Sequence, residues 1–240
     1  MTARLAMWSG PRNISTALMR SWENRADTVV VDEPLYSYYL DQTRLDHPGI
    51  DEVIAAGERD WSTVVQDLTE AEPAPIYYQK HMTHHLIPQL PREWIAGLHN
   101  VLLIRDPAEV VASYVRARSN VAAADIGLVQ QAELFDQLDA AGLTPPIIDA
   151  TDFLQQPQRY LRWLCADLDV SYTDAMLTWP PGPRDSDGVW ARHWYEAVWR
   201  STGFETFRAR AVDLSGAALS AAVESRPHYQ RLHERRVRLE

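Results

Sequence analysis

The stretch AMWSGPRNISTALMRSW, residues 6–22, decides how the rest of the chain is read. An apolar run ends at Ser9, a tight Gly10-Pro11-Arg12 turn follows, and helical spacing resumes near Ile14. A strand feeding a tight turn and then a helix points backbone N–H groups, and the positive end of the helix, at an anion. Arg12 adds a charge, Ser15 and Thr16 add hydroxyls, and Asn13 and Ile14 complete the loop. The loop that serves nucleotide hydrolysis has the pattern G-x-x-x-x-G-K-[ST]. Counted from Gly10, Ser15 and Thr16 stand where that pattern has glycine and lysine. The lysine and the metal-holding hydroxyl after it are absent, so a γ-phosphate and its Mg²⁺ are poorly served. An ordinary strand–loop–helix turn with a surface arginine accounts for the same letters.

Working outward, short apolar runs alternate with helical stretches. RLAMWS (4–9), TVVVDE (28–33), PIYYQK (75–80), NVLLIR (100–105) and PIIDA (146–150) have strand length and composition. Segments 14–25, 107–118, 126–142 and 157–170 have helical spacing. DGVWARHWYEAVWRSTGF (187–204) reads as an aromatic helix with Trp190, Trp194 and Trp199 near one face, and the closing stretch 220–240 as an exposed helix broken near Pro227. Near-continuous apolar strands separated by helices imply an α/β fold of three layers, a central and mainly parallel five-stranded sheet flanked by helices. Ligands in such sheets bind at the carboxyl ends of the strands. Ser9 to Arg12, Asp32-Glu33, Lys80-His81 and Arg105-Asp106 are therefore expected on one rim.

The bulk numbers bound the function. The 240 residues carry a net charge of -10, which argues against nonspecific binding to nucleic acid or an anionic membrane surface. No apolar run approaches ~20 residues, and the first ten lack a cleavage pattern, so neither a membrane partner nor a signal peptide is expected. The single cysteine, Cys165, excludes an internal disulfide and a cysteine-cluster metal site, sits in an apolar helical pattern that assigns it to packing, and makes the cytoplasm the default location. Of 23 basic residues only one, Lys80, is lysine. A chain so biased to arginine that keeps one lysine points to a site needing a compact ammonium, unless chance left it there.

NVLLIRDPAEVVASYV (100–115) carries the second motif. Arg105 stands at a strand end, Asp106 reads as an N-cap, Pro107 as a first-turn proline, and Ser113 lies two turns into the helix. Arginine and serine so placed can grip a second phosphate; equally, Arg105 can pair with a carboxylate while Ser113 packs. Together, GPRNISTAL and RDPAEVVAS resemble the two nucleotide-binding motifs of the sulfotransferases, enzymes that use 3′-phosphoadenosine 5′-phosphosulfate (PAPS). The resemblance implies one P-loop-like sulfotransferase domain over 1–240. The loop Gly10–Thr16, with Arg12 in the basic position, would hold the 5′-phosphosulfate, and Arg105 with Ser113 the 3′-phosphate. GPRDSDGVW (182–190) resembles the family's late loop that closes over the nucleotide, with Arg184 as its basic residue. The departures are Asn13 and Ile14, where many members have serine and glycine. Such a donor needs no Mg²⁺ to bridge β and γ groups, which fits the missing lysine and metal hydroxyl.

Sulfuryl transfer demands positioning and cationic stabilisation, as phosphoryl transfer does. Arg12 and Lys80 are the expected cations. Glu33, before Pro34, is the first choice of base and His81 the second; some family members carry a glutamate or a histidine near these places. Tyr36, Tyr39 and His84 are expected to contact a small-molecule alcohol acceptor, together with Tyr38, Trp61 and segment 119–136. His81, His84 and His85 lack the partner cluster that a metal site needs, so no metal is expected. A homodimer is compatible with the sequence. The competing functions are a P-loop kinase or NTPase, a non-catalytic nucleotide-binding module, and a Lys80 aldimine enzyme, for which no pyridoxal phosphate pocket stands out.

Overall fold

The structure is a computed structural model that describes residues 2–116, 118, 121–208 and 212–239. Ala117, inside the expected helix 107–118, and residues 119 and 120, at the head of the expected acceptor segment, lie outside the described residues. So do residues 1 and 240 of the expected 1–240 domain.

Five strands form one sheet: β1 (Ala3–Ser9), β2 (Thr28–Asp32), β3 (Ile76–Met82), β4 (His99–Ile104) and β5 (Ile147–Asp149). Each lies within two residues of its expected bounds. Their order is β2-β3-β1-β4-β5 and all four pairings are parallel. The chain leaves β1 toward one edge and later returns to fill the other, so the carboxyl end of β1 lies at a topological switch point. In between run α1 (Ser15–Glu23), α2 (Tyr36–Thr43), α3 (Ile50–Ala56), α4 (Trp61–Glu70), α5 (Pro107–Tyr114) and α6 (Leu128–Ala140). After β5 come α7 (Ala150–Gln155), α8 (Pro157–Asp167), α9 (Ala191–Trp194), α10 (Glu196–Arg200) and α11 (Gly216–Glu234).

Both faces of the sheet are covered, which is why the strands read as unbroken apolar runs. On β1, Leu5 and Met7 pack with Leu18, Trp22, Tyr78 and Leu161 in one layer. Ala6 and Trp8 pack with Leu102, Ile104, Val111 and Phe135 in the other. Each large apolar side chain so buried contributes ~1.5–3 kcal/mol. Asp106 caps α5 by accepting the Ala108 N–H at 2.8 Å, with Pro107 in the first turn. Cys165 is buried in the Leu5 layer, as packing.

Two helices depart from their sequence patterns. The aromatic stretch 187–204 is not one helix but two short ones, because Tyr195 leaves helical geometry (φ -103°, ψ 8°) and turns its hydroxyl into the molecule. The closing helix does not break at Pro227, nor is it wholly exposed. Proline removes the bond to the carbonyl of Val223, a residue that is 62% exposed, on the outer side of the helix. The opposite face of α11, with Ala221, Ala222, Ser225, Tyr229 and Leu232, is buried. Arg226 bonds Asp106 at the head of α5, and the Tyr229 hydroxyl donates to Asp149 at 2.9 Å. Among the described residues, no helix is long and apolar enough to cross a membrane.

Candidate active site

A cavity of about 310 Å³ opens at the carboxyl ends of the strands. One wall is the loop from Pro11 to Thr16, with Arg105 and Ser113 beside it; the opposite wall holds Glu33, Lys80, Tyr36, His84 and Tyr195.

The loop wall carries backbone donors and positive charge without full partners. Helix α1 starts with no side-chain cap and no acidic residue in its first turn, whereas α5 and α7, which follow β4 and β5, are capped by Asp106 and Asp149. Uncapped amides at a helix start keep their donors for an outside partner. Arg12 holds left-handed backbone (φ 56°), a conformation costing ~1–2 kcal/mol for a residue with a Cβ. Its Nε donates to Ser113 Oγ at 3.1 Å. Arg105 donates Nη1–H to the Arg12 carbonyl at 3.0 Å and grips Glu109 through Nε and Nη2, at 3.0 and 2.9 Å. Three of its five N–H groups are thus engaged and two are left. Burial and the positive charges of Arg105 and Arg116 push the Arg12 guanidinium below its ordinary pKa. Positive charge here is under-compensated, which is the environment a phosphate fits.

The opposite wall holds a buried charge cluster. Asp32 and Lys80 are register partners across β2 and β3, so both side chains rise on one face. Lys80 Nζ lies 2.7 Å from Asp32 Oδ1, 2.6 Å from Glu33 Oε1 and 2.7 Å from the Tyr195 hydroxyl. Glu33 holds the second left-handed backbone of the site (φ 46°). Burial raises the Glu33 carboxyl, Lys80 pulls against that, and the Asp32 charge adds to the rise. Burial alone would lower Lys80, but the two carboxylates outweigh it and keep the ammonium charged. Beside this cluster, Tyr36 stacks on His85 at 4.8 Å and bonds His47 Nδ1 at 2.8 Å. Burial holds His47 down to about 4 and His84 to about 3, and neighbouring positive groups add to both, so these rings are neutral near pH 7. Among the described residues, no group of three or more His, Cys, Asp or Glu side chains is arranged to hold a metal ion.

Residues 3–235 match the family described as the sulfotransferase domain. The chain belongs to the sulfotransferase family. The sulfotransferase domain from the Synechococcus PCC 7002 olefin synthase has the same fold, with a TM-score of 0.60 at 14% identity over 96% of both chains. The sulfotransferase domain from the curacin biosynthetic pathway gives 0.53 at 15% identity, over 93% of this chain and 97% of that one. Two curated relatives from Arabidopsis thaliana are named branched-chain-amino-acid aminotransferase-like proteins 1 and 2. They are 37% and 36% identical over 200 residues, 83% of this chain and 36% of each relative. This sulfotransferase chain therefore spans little more than a third of their length.

Among the residues expected at the sulfotransferase site, the cavity brings together Pro11 to Thr16, Glu33, Tyr36, Lys80, His84, Arg105 and Ser113. Gly10 lies just behind, pressed against the Ile126 carbonyl so closely that a Cβ would sit 2.1 Å from the oxygen. His81 does not face the cavity. Side chains alternate along β3, so with Lys80 on one face His81 goes to the other, where it stacks on Trp8 at 4.1 Å and meets Gln79 at 3.2 Å. Tyr39 packs behind the wall against His85 (4.7 Å), and Tyr38 belongs to the Trp8 layer, with Trp61 packed against it. Arg184 is outside the cavity and pairs with Glu23 of α1 at 3.4 Å. Sequence reasoning passed over His47 and Tyr195, weighed His85 only for a metal site and read Trp194 as helix packing; all four line the cavity. Asp32 was the legible one, since it precedes Glu33 at a strand end. Tyr195 arrives from 115 residues beyond Lys80, which no local pattern signals.

Proposed function

We propose that this chain moves a sulfuryl group from PAPS to a hydroxyl of a small molecule. The observation that carries the reading is the convergence of Arg12, Arg105 and Ser113 on the uncapped start of α1, across one cavity from Glu33 and Lys80. The donor supplies a sulfuryl group on a phosphate leaving group. Arg12 and the α1 amides would hold its 5′-phosphate, and Arg105 with Ser113 its 3′-phosphate. Glu33 would take the acceptor's proton on its carboxylate, and its burial-raised affinity for protons suits that task. Lys80 would supply compact positive charge opposite the loop. Tyr36 and His84 would wall the acceptor.

The aminotransferase-like names of the longer relatives suggest a lysine aldimine, but Lys80 speaks against it here. Its three N–H groups are all engaged, two by carboxylates, which keeps the amine charged, whereas an aldimine lysine must be neutral to attack.

Thermal unfolding with 3′-phosphoadenosine 5′-phosphate (PAP), 5′-AMP and Mg-ATP tests the donor. At 100 times its dissociation constant a ligand stabilises by ~2.7 kcal/mol, roughly 5–10 °C at this size. A rise with PAP well above that with 5′-AMP supports the reading. A rise with Mg-ATP alone replaces it with a kinase or NTPase.

A further inference from the structure

The Lys80 ammonium has three N–H groups and three acceptors, with none to spare. A cation that is to meet the transferring group must give one of them up, and the three are not equivalent. Asp32 is 1% exposed at its side chain and is anchored again by the Tyr195 hydroxyl, at 2.7 Å from Oδ2, and by the Gly188 N–H at 3.4 Å. Tyr195 is held by Asp32, by the Trp190 indole N–H at 3.3 Å and by packing, with its ring centroid 5.1 Å from Nζ. Glu33 is 11% exposed, lines the cavity, and has Lys80 as its one close partner, Tyr195 lying at 3.3 Å.

We propose that Asp32 and Tyr195 are positioning residues that clamp Lys80, and that Glu33 is its exchangeable partner, released when a sulfuryl-bearing donor takes over the third N–H. This rests on the donor reading above. Its consequence is order. The carboxylate becomes free to accept a proton only after the donor is seated, so an acceptor arriving first meets a base already engaged. PAP has no sulfuryl group and leaves the Lys80–Glu33 bond in place.

Because the chain has a single lysine, a sample labelled with ¹⁵N at lysine Nζ gives one side-chain signal, that of Lys80. The signal is recorded alone, with PAP and with PAPS, and the affinities of both nucleotides are measured for wild type, Tyr195→Phe and Glu33→Gln. The expected result is a Lys80 signal that PAP leaves in place and PAPS shifts. Glu33→Gln removes the competing charge and tightens PAPS relative to PAP by roughly fivefold or more, and Tyr195→Phe loosens PAPS relative to PAP by roughly fivefold while speeding solvent exchange of the ammonium. PAP and PAPS both binding but leaving the signal unmoved, or moving it equally, overturns the exchange and leaves the donor reading standing. An unchanged PAPS-to-PAP ratio in Tyr195→Phe overturns the clamp. Failure of both nucleotides to bind overturns the donor reading and this inference with it. Should Tyr195→Phe fail to fold, the wild-type comparison decides the matter.

Discussion

Acidification should unfold this protein before its ordinary carboxylates are neutralised. Four buried histidines are the reason. Burial is the main cause in each: it holds His47 down to about 4, His81 and His84 to about 3, and His85 well below the ordinary value. In the unfolded chain all four titrate near 6.5. Below that pH the unfolded state binds more protons, so stability is fully present above ~6.5 and is lost as pH falls toward ~4. At pH 5 His47, His81 and His84 cost ~2 kcal/mol each, ~6 kcal/mol together, and His85 adds to this in the same direction. Total stability for a domain is only ~5–15 kcal/mol. Glu33 and Asp149, raised by burial, gain protons in the folded state and offset part of this. Thermal unfolding followed at half-unit steps from pH 7.5 to 4.5 should show a steep fall below pH 6.5 and loss of the folded state near pH 5. His81→Phe, which keeps a ring against Trp8 and lies off the cavity, should flatten that fall by ~2 kcal/mol at pH 5. A midpoint unchanged between pH 7 and pH 5 would refute the argument.

Arg105→Ala should weaken PAP by roughly 10–150-fold, the loss of a charge-assisted phosphate contact, but 5′-AMP by no more than about tenfold, the cost of the lost bond to the Arg12 carbonyl. Titration calorimetry with both ligands checks this, and equal losses would remove Arg105 from the 3′-phosphate. Glu33→Gln should lower sulfuryl transfer by ~10²–10⁴-fold with PAP affinity near wild type; transfer at wild-type rate, in a radiolabelled PAPS assay against a panel of alcohols, would take the proton from another group. Gly10→Ala places a Cβ 2.1 Å from the Ile126 carbonyl, so the loop must shift; it should cost ~1–3 kcal/mol and lower the unfolding midpoint by several degrees. A midpoint within about one degree of wild type, roughly a tenth to a fifth of the shift expected from PAP, would show that the contact is slack.

The sheet was legible because buried parallel strands must be apolar on both faces, and the five runs that met this condition became the five strands. The loop wall was legible because strand, turn and helix are neighbours in sequence from Ser9 to Thr16, and because Arg105 and Ser113 share one strand–helix unit. The other wall was only half legible. Lys80 and His81 are adjacent letters, and nothing in the letters says which face of β3 each takes; Asp32, its register partner on β2, decides it for Lys80. Arg184 looked like a loop cation, yet Glu23 on α1 claims it. Helical spacing over 187–204 was genuine but yielded to Tyr195, whose hydroxyl finds Asp32 and Lys80 by leaving the helix. Pro227 misled because a proline's cost depends on whether the released carbonyl meets water.

The bond between Arg226 and Asp106 spans 120 residues. A ribosome adding ~5–20 residues per second takes about 6–24 s to make that interval. Within it β5 completes the sheet and the helix bearing Ser113 can form, but the helix that braces Asp106, one residue after Arg105, has yet to be made. The wall that carries Arg12, Arg105 and Ser113 is therefore among the last parts of the nascent chain to be braced.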